Sequence, residues 1–199
     1  MEKSADSAYP IHELIRNRWS PRSFTDMMPS QSQLLSLFEA ARWAPSCYND
    51  QPWFFIVATK ENPKEYEKML SCLVEQNRIW ARQAPVLVIS VARITFSLNG
   101  KPNAHAFHDL GMSIQNIALQ ATGMGLAIHP MAGFSKKCTR ETYNIPEGYD
   151  PVTALAIGFP GDPNTLPAAL REKEMEPRQR KSLKDFIFAC TWGENFISE

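Results

Sequence analysis

Two arginines bracket a hydroxyl in Arg18-Trp19-Ser20-Pro21-Arg22. A guanidinium presents a planar fork of N–H donors that matches phosphate oxygens, and a serine adds one more hydrogen bond. The segment suits an anion, and a solvated basic turn has the same composition. A second basic run, Arg178-Gln179-Arg180-Lys181, gains meaning only if folding brings it to the first. Between them, the stretch from Ala44 to Trp53 (Ala-Pro-Ser-Cys-Tyr-Asn-Asp-Gln-Pro-Trp) sets Ser, Asn and Gln on a loop stiffened by two prolines. Loops held by rigid elements are good places for ligand contacts, although the same residues also favour a plain helix-to-strand turn. A fourth stretch, Gly125 to Phe134, reads as a strand running into Pro130-Met131-Ala132-Gly133 before a helix start at Ser135. Glycine lets backbone approach a flat ligand closely, and free N–H groups at a helix start can donate to it. Ordinary strand-to-helix geometry accounts for the same residues.

These segments need elements to position them. Ser30 with Gln33 forms a capping box, and Leu34, Leu37, Phe38 and Ala41 then make one apolar helical face that ends before Pro45. Asn62-Pro63 starts another helix. The longest helix is expected from about Ala104 to Gly123, with the stripe Phe107, Leu110, Ile114, Ile117, Ala121 and with Gly111 and Ala118 allowing a close neighbour. β-branched and aromatic residues mark strands at Trp53–Thr59, Pro85–Arg93, Leu126–Pro130 and Val152–Gly158. Helical segments separate the first three, so some parallel pairing is expected. The irregular alternation argues for an α+β fold with a mixed sheet.

Two tempting motifs fail. Gly123-Met124-Gly125 has Ile128 where the third glycine of a dinucleotide fingerprint belongs, and it follows a helix rather than a strand. His105, His108 and Asp109 share a helix but lack a nearby Cys or Glu to complete a metal site. No metal is expected. Met112, Met124 and Met131 read as core fillers.

The bulk numbers narrow the class. Hydrophobic residues make up 44% of the 199, enough for a real core. Lys+Arg 21 against Asp+Glu 21 gives a net charge of +0, which favours neither nucleic acid nor an anionic membrane. Cys47, Cys72, Cys138 and Cys190 are scattered, which suits reduced thiols. The first ten residues hold no apolar signal-peptide core, and no apolar run approaches the ~20 residues that span a bilayer. A cytoplasmic protein is expected, as one domain over 1–199, with 161–199 serving as a connection and a C-terminal arm.

In order along the chain, these segments resemble the nitroreductase family. That family carries R-x-S-x-R/K, then P-S-x-x-N-x-Q-P-W, and then a long helix matched by Asp109, Gly111, Gln115-Asn116, Ala121 and Gly125-Leu126. A P-x-x-G-F turn and a basic pair follow. The resemblance implies an interlocked homodimer with FMN at the interface. It implies that Arg18, Ser20 and Arg22 hold the phosphate, ribityl chain and pyrimidine edge, with Trp19 between them. Pro45, Ser46, Cys47 and Asn49 would reach the flavin from the other protomer. Pro130 and Met131 lead to Ala132 and Gly133 beside flavin N5, Asn77 touches the pyrimidine ring, and Arg178 and Arg180 complete the phosphate site. Apart from the resemblance, Trp192 and Phe196 are expected to be buried on a partner chain, since large apolar surface is rarely left open. Ala132 departs from the Glu of well-known members, and Trp80 stands where some carry Lys. The implied activity passes electrons from NADH or NADPH through FMN to a nitroaromatic, quinone or similar small acceptor. Dehalogenation, ene reduction, flavin fragmentation and flavin binding without turnover are the alternatives.

Overall fold

A central strand that is buried along nearly its whole length organises the chain. The computed structural model describes residues 3–197. Strand β2 (Val86–Arg93) lies between β1 (Trp53–Thr59) and β4 (Tyr149–Gly158), and β3 (Ala127–Met131) closes the order β1-β2-β4-β3. Alternate side chains of β2 feed two cores. Leu87, Ile89 and Val91 meet Tyr66, Met69 and Leu70 of α3 (Pro63–Ser71) and Trp80 of α4 (Glu75–Ala81). On the opposite face, Val86, Val88 and Ala92 meet Leu37 and Ala41 of α2 (Gln31–Arg42) and the buried stripe of α5 (Ala106–Gly123). A strand covered on both faces reads as continuous hydrophobicity, which is why Val86 to Ala92 carries so little polarity.

The sheet corrects one expectation. All three strand pairings among the described residues are antiparallel, so the sheet is not mixed. Thr59 pairs with Val86, so the α3–α4 connection returns to the end of the sheet that it left. The α5 crossover does set β2 and β3 in the same direction, but β4 inserts between them. The α+β class and the flanking helices stand.

Two prolines sit in strands for identifiable reasons. Pro151 occupies a central strand at a bulge between Ser90 and Val91, where a missing ladder donor is tolerated. The Ser90 hydroxyl patches the gap, donating to the Thr153 carbonyl at 2.9 Å and accepting from the Thr153 N–H at 3.1 Å. Pro130 lies in β3, an edge strand, where proline costs least.

The Ser30 capping box forms as expected, and Pro63 occupies the first turn of α3. In α5, Leu110, Ile114, Ile117 and Ala121 are buried, but Phe107 is half exposed and Gly111 faces open space. The inward face is completed instead by Ala106, Asp109, Ser113 and Ala118. Beyond β4, α7 (Ala168–Met175) opens the C-terminal segment. No helix among the described residues is long and apolar enough to cross a membrane.

Candidate functional site

The first basic segment is fixed in place by a carboxylate. Helix α1 (Glu13–Asn17) ends at Arg18, and the chain continues to Phe24, which bridges Pro160. Glu174 of α7 is almost fully buried behind this segment. One of its oxygens accepts the N–H groups of Arg22 at 2.7 Å and Ser23 at 3.3 Å, and the other pairs with the Arg22 guanidinium at 3.4 Å. From the sheet side, His129 Nδ1 donates to the Pro21 carbonyl at 2.8 Å. The segment is thus held between α7 and β3.

Folding does unite the two basic runs. Arg18, Arg178, Gln179, Arg180 and Ser182 line one cavity of about 1270 Å³. Burial first, and then the charges of Arg178 and Arg180, lower the Arg18 pKa. Arg178 is lowered by burial and by Arg180. Among the described residues, none of the three makes an ion pair. Arg178 spends Nη1 on the carbonyls of Lys3 at 2.8 Å and Arg16 at 2.9 Å, leaving the rest of its fork. Arg18 Nη1 reaches Ser20 Oγ at 3.4 Å. Such a cluster of like charges suits a dianion.

The glycine turn after β3 is tightly built. Gly133 O accepts from Asn77 Nδ2 at 3.0 Å and from Val74 N at 3.1 Å. A Cβ on Gly133 would stand 2.6 Å from Asn77 Nδ2 and 2.8 Å from a Val74 methyl, so any side chain there would push both neighbours out of place. Asn77 therefore does belong beside the turn. Ala132 is exposed, whereas the Met131 side chain is buried in the core. Trp80 is buried too, its ring centroid 4.5 Å from that of His129, so it supports the strand from behind.

The Pro45–Asn49 loop sits elsewhere and is strained. Tyr48, Asn49 and Gln51 all have positive φ, a conformation costly for non-glycine residues. Polar contacts from neighbouring segments hold it. Asp109 of α5 accepts the Cys47 N–H at 2.9 Å, and Ser46 Oγ accepts the Gln51 N–H at 3.1 Å. Asp50 accepts from Ser97 N at 2.9 Å and Ser97 Oγ at 2.6 Å and pairs with Arg93 at 3.1 Å. Burial raises the Asp50 pKa, but the bonds from Ser97 and Arg93 outweigh it and leave the pKa below the usual carboxylate range. Tyr48 is left 90% exposed, its ring edge-on to Phe96 at 5.9 Å, so its strained position is not explained by packing in this chain.

The residues singled out in the sequence thus form two groups. Arg18, Trp19, Ser20, Arg22, Arg178 and Arg180 connect through Pro21 and His129 to Pro130–Gly133 and Asn77. Pro45, Ser46, Cys47 and Asn49 form the other, and no hydrogen bond or ion pair among the described residues joins it to the first. Sequence reasoning missed Glu174, which is buried inside a charged helical run, Arg171-Glu172-Lys173-Glu174, that reads as a solvated face. Asp109 stood out in the sequence only in the helix pattern and in a metal trio that fails, and neither points to its bond with the Cys47 N–H. No group of three metal-binding side chains occurs among the described residues.

His129 makes a pH prediction. Burial lowers its pKa to about 4, with the Pro21 carbonyl pulling upward and Arg22 downward. The unfolded imidazole titrates near ~6.5, so the unfolded state takes up the proton first as pH falls. The stability held above ~6.5 should be lost toward about 4, with a slope of at most ~1.4 kcal/mol per pH unit. Urea unfolding across this range should show the gap between the parent and His129→Gln narrowing as the medium acidifies. A gap independent of pH contradicts the assignment.

The site belongs to a two-core α+β protein with an unpaired arginine cavity beside a glycine turn. Residues 15–159 match the family described as Nitroreductase family, and the chain belongs to it. The chain is similar to a crystal structure described as an oxidoreductase containing FMN, with 35% identity, a TM-score of 0.90 and 96% of each chain covered. It is 27% identical to a protein of Methanothermobacter thermautotrophicus provisionally named NADH dehydrogenase/NAD(P)H nitroreductase, over 78% of this chain and 80% of the relative. It is also 24% identical to iodotyrosine deiodinase 1 of Sus scrofa, over 79% of this chain and 63% of the relative.

Proposed function

We propose that this chain is an FMN-dependent oxidoreductase that takes electrons from NADH or NADPH and passes them to a nitroaromatic, quinone or similar small acceptor. The observation that carries the reading is the cavity with three unpaired guanidiniums. Like charges held together in one cavity destabilise the empty protein and favour a phosphate-bearing ligand. A single phosphate fits this donor set, and the chain has no glycine-rich loop for a pyrophosphate. Bound FMN supplies the redox chemistry in ping-pong order, and the side chains position it.

In this reading Arg18, Arg178 and Arg180 hold the phosphate, and Ser20 supports the ribityl chain. Arg22 and the Gly133 turn flank the ring system, with Asn77 fixing the turn. The Arg22 charge is shared with Glu174, so Arg22 acts there as an anchored donor more than as a free cation. The single domain sends its arm onto a second copy. Trp192 is 92% exposed and Phe196 68% exposed in one chain, surface that is rarely left open when it can be covered. A homodimer brings the partner's copy of the strained Pro45–Asn49 loop to the flavin, and its exposed Tyr48 supports that. We assign the protein to the cytoplasm, in keeping with four free cysteines.

The test is a visible spectrum followed by anaerobic addition of NADH or NADPH. A yellow protein that releases FMN, bleaches and is reoxidised by a nitroaromatic or quinone is the expected result. A colourless protein that FMN cannot reconstitute would falsify the reading. Similarity to a deiodinase favours dehalogenation as the second reading. Reoxidation by an iodinated phenol, with no response to nitroaromatics or quinones, would select it.

Cys47 lies in the loop but serves as a wall. Its own N–H is committed to Asp109, and small thiols pack as hydrophobes. Cys47→Ala should retain FMN and keep turnover within about tenfold, or ~1.4 kcal/mol in barrier. A loss of several decades with flavin still bound would make the thiol catalytic.

A further inference from the structure

We propose that Cys72 and Cys138 form a reversible disulfide when the protein meets a peroxide, and that this bond staples the two segments holding the glycine turn. Their sulfurs lie 3.2 Å apart although the residues are 66 positions apart in sequence. The neighbouring backbone is already clamped. Cys72 follows α3, and its carbonyl accepts the Ser135 N–H at 2.8 Å. Leu73 bridges Phe134, and the Ser135 hydroxyl accepts the Cys138 N–H at 3.1 Å at the start of α6 (Lys136–Thr142). The two thiols are therefore held at one place by backbone contacts on both sides. A bridge between them needs little movement, the requirement most pairs of cysteines fail.

The environment assigns the order of events. Cys72 is buried, and burial followed by its contact with Cys138 raises its pKa. Cys138 is partly accessible and is the sulfur that meets the oxidant. Its thiolate attacks one peroxide oxygen, the O–O bond breaks, and hydroxide leaves with the electron pair, giving a sulfenic acid. Cys72, giving up its proton, attacks that sulfur and expels the sulfenic oxygen as hydroxide. With hydrogen peroxide, the two protons released convert both hydroxides to water. Two thiols have lost two electrons and the peroxide has gained them. Thr142 Oγ1 of α6, 3.8 Å from each sulfur, is placed to receive or relay the Cys72 proton.

The consequence falls on the turn. Cys72 is two residues before Val74, whose N–H holds Gly133 O, and Cys138 is five residues after Gly133. Oxidation ties the α3–α4 connection to the start of α6 covalently, which fixes the Val74–Gly133 contact. Reliance on the proposed flavin site enters only here, because the same turn is the one assigned to the flavin ring.

Treating the full-length protein as purified with hydrogen peroxide tests this, in a Cys190→Ser background that removes the exposed thiol. Non-reducing peptide mapping should recover Cys72 linked to Cys138, with the mass lowered by two hydrogens and restored by dithiothreitol. Cys138→Ser should leave Cys72 as a free thiol. Amide exchange at Val74 and Phe134 should slow in the oxidised protein and recover on reduction. Cys138 found as sulfinic acid, or both thiols still free while Cys47 is oxidised, would overturn the disulfide. A linked pair with unchanged amide exchange would overturn the stapling. The cross-link is read by mass, so its failure is separable from failure of the flavin assignment.

Discussion

Glu174→Ala should cost about 3 kcal/mol of folding stability, and it should loosen the basic segment along with α7. The buried carboxylate accepts two backbone N–H groups and pairs with Arg22. Removing it leaves two donors without a partner, each worth ~1–3 kcal/mol when desolvated. Breaking a fully buried ion pair costs ~3–5 kcal/mol, but the Arg22 side chain is 29% exposed, so water limits that part of the loss. The loss is a large share of the roughly 5–15 kcal/mol that holds a domain folded. Glu174→Gln keeps one acceptor oxygen and should lose less. Equilibrium denaturation of the three proteins checks this. An alanine variant within ~0.5 kcal/mol of the parent, the range of ordinary surface changes, would remove Glu174 from its role.

The double variant Arg18→Ala/Arg180→Ala should lose two to four decades in FMN affinity. Each charge-assisted contact contributes roughly 1.5–3 kcal/mol, and ~1.4 kcal/mol is one decade. The same variant should bind riboflavin, which lacks the phosphate, about as well as the parent does. Its unfolding without ligand should be no easier, because the burial of the Arg18 charge and its repulsion by Arg178 and Arg180 are both relieved. Fluorescence titration with FMN and riboflavin separates the effects. Equal losses for both ligands would place the arginines away from the phosphate.

Local chemistry made much of the fold legible. The capping box at Ser30, the proline at position 63 and the β-branched run of β2 each announce themselves within a few residues. The direction of strand pairing was not legible, because the two-helix α3–α4 connection returns the chain to the end of the sheet it left, and because β4, arriving late in the chain, inserts between β2 and β3. Phe107 fits the helical stripe by spacing, yet the inward surface goes to Ala106 and Asp109, since Asp109 must reach the Cys47 N–H. Within the candidate site, Arg18 and Arg22 stood out by type and spacing. Glu174 did not, because nothing in a run of alternating charges tells which carboxylate will be buried. Asn77 depended on the resemblance alone, and its place beside Gly133 emerged only in three dimensions.

The two rims of the sheet face the crowded cell differently. On the β3 rim, Pro130 removes one amide that a foreign strand would need. On the β1 rim, Trp53 to Thr59 carries no charge and no proline, and Phe54 and Val57 remain exposed at 42% and 40%. Unregulated strand addition, and with it precipitation during overexpression, should therefore concentrate on β1. A single lysine at Val57, pointing outward, would act as a gatekeeper there without touching either core.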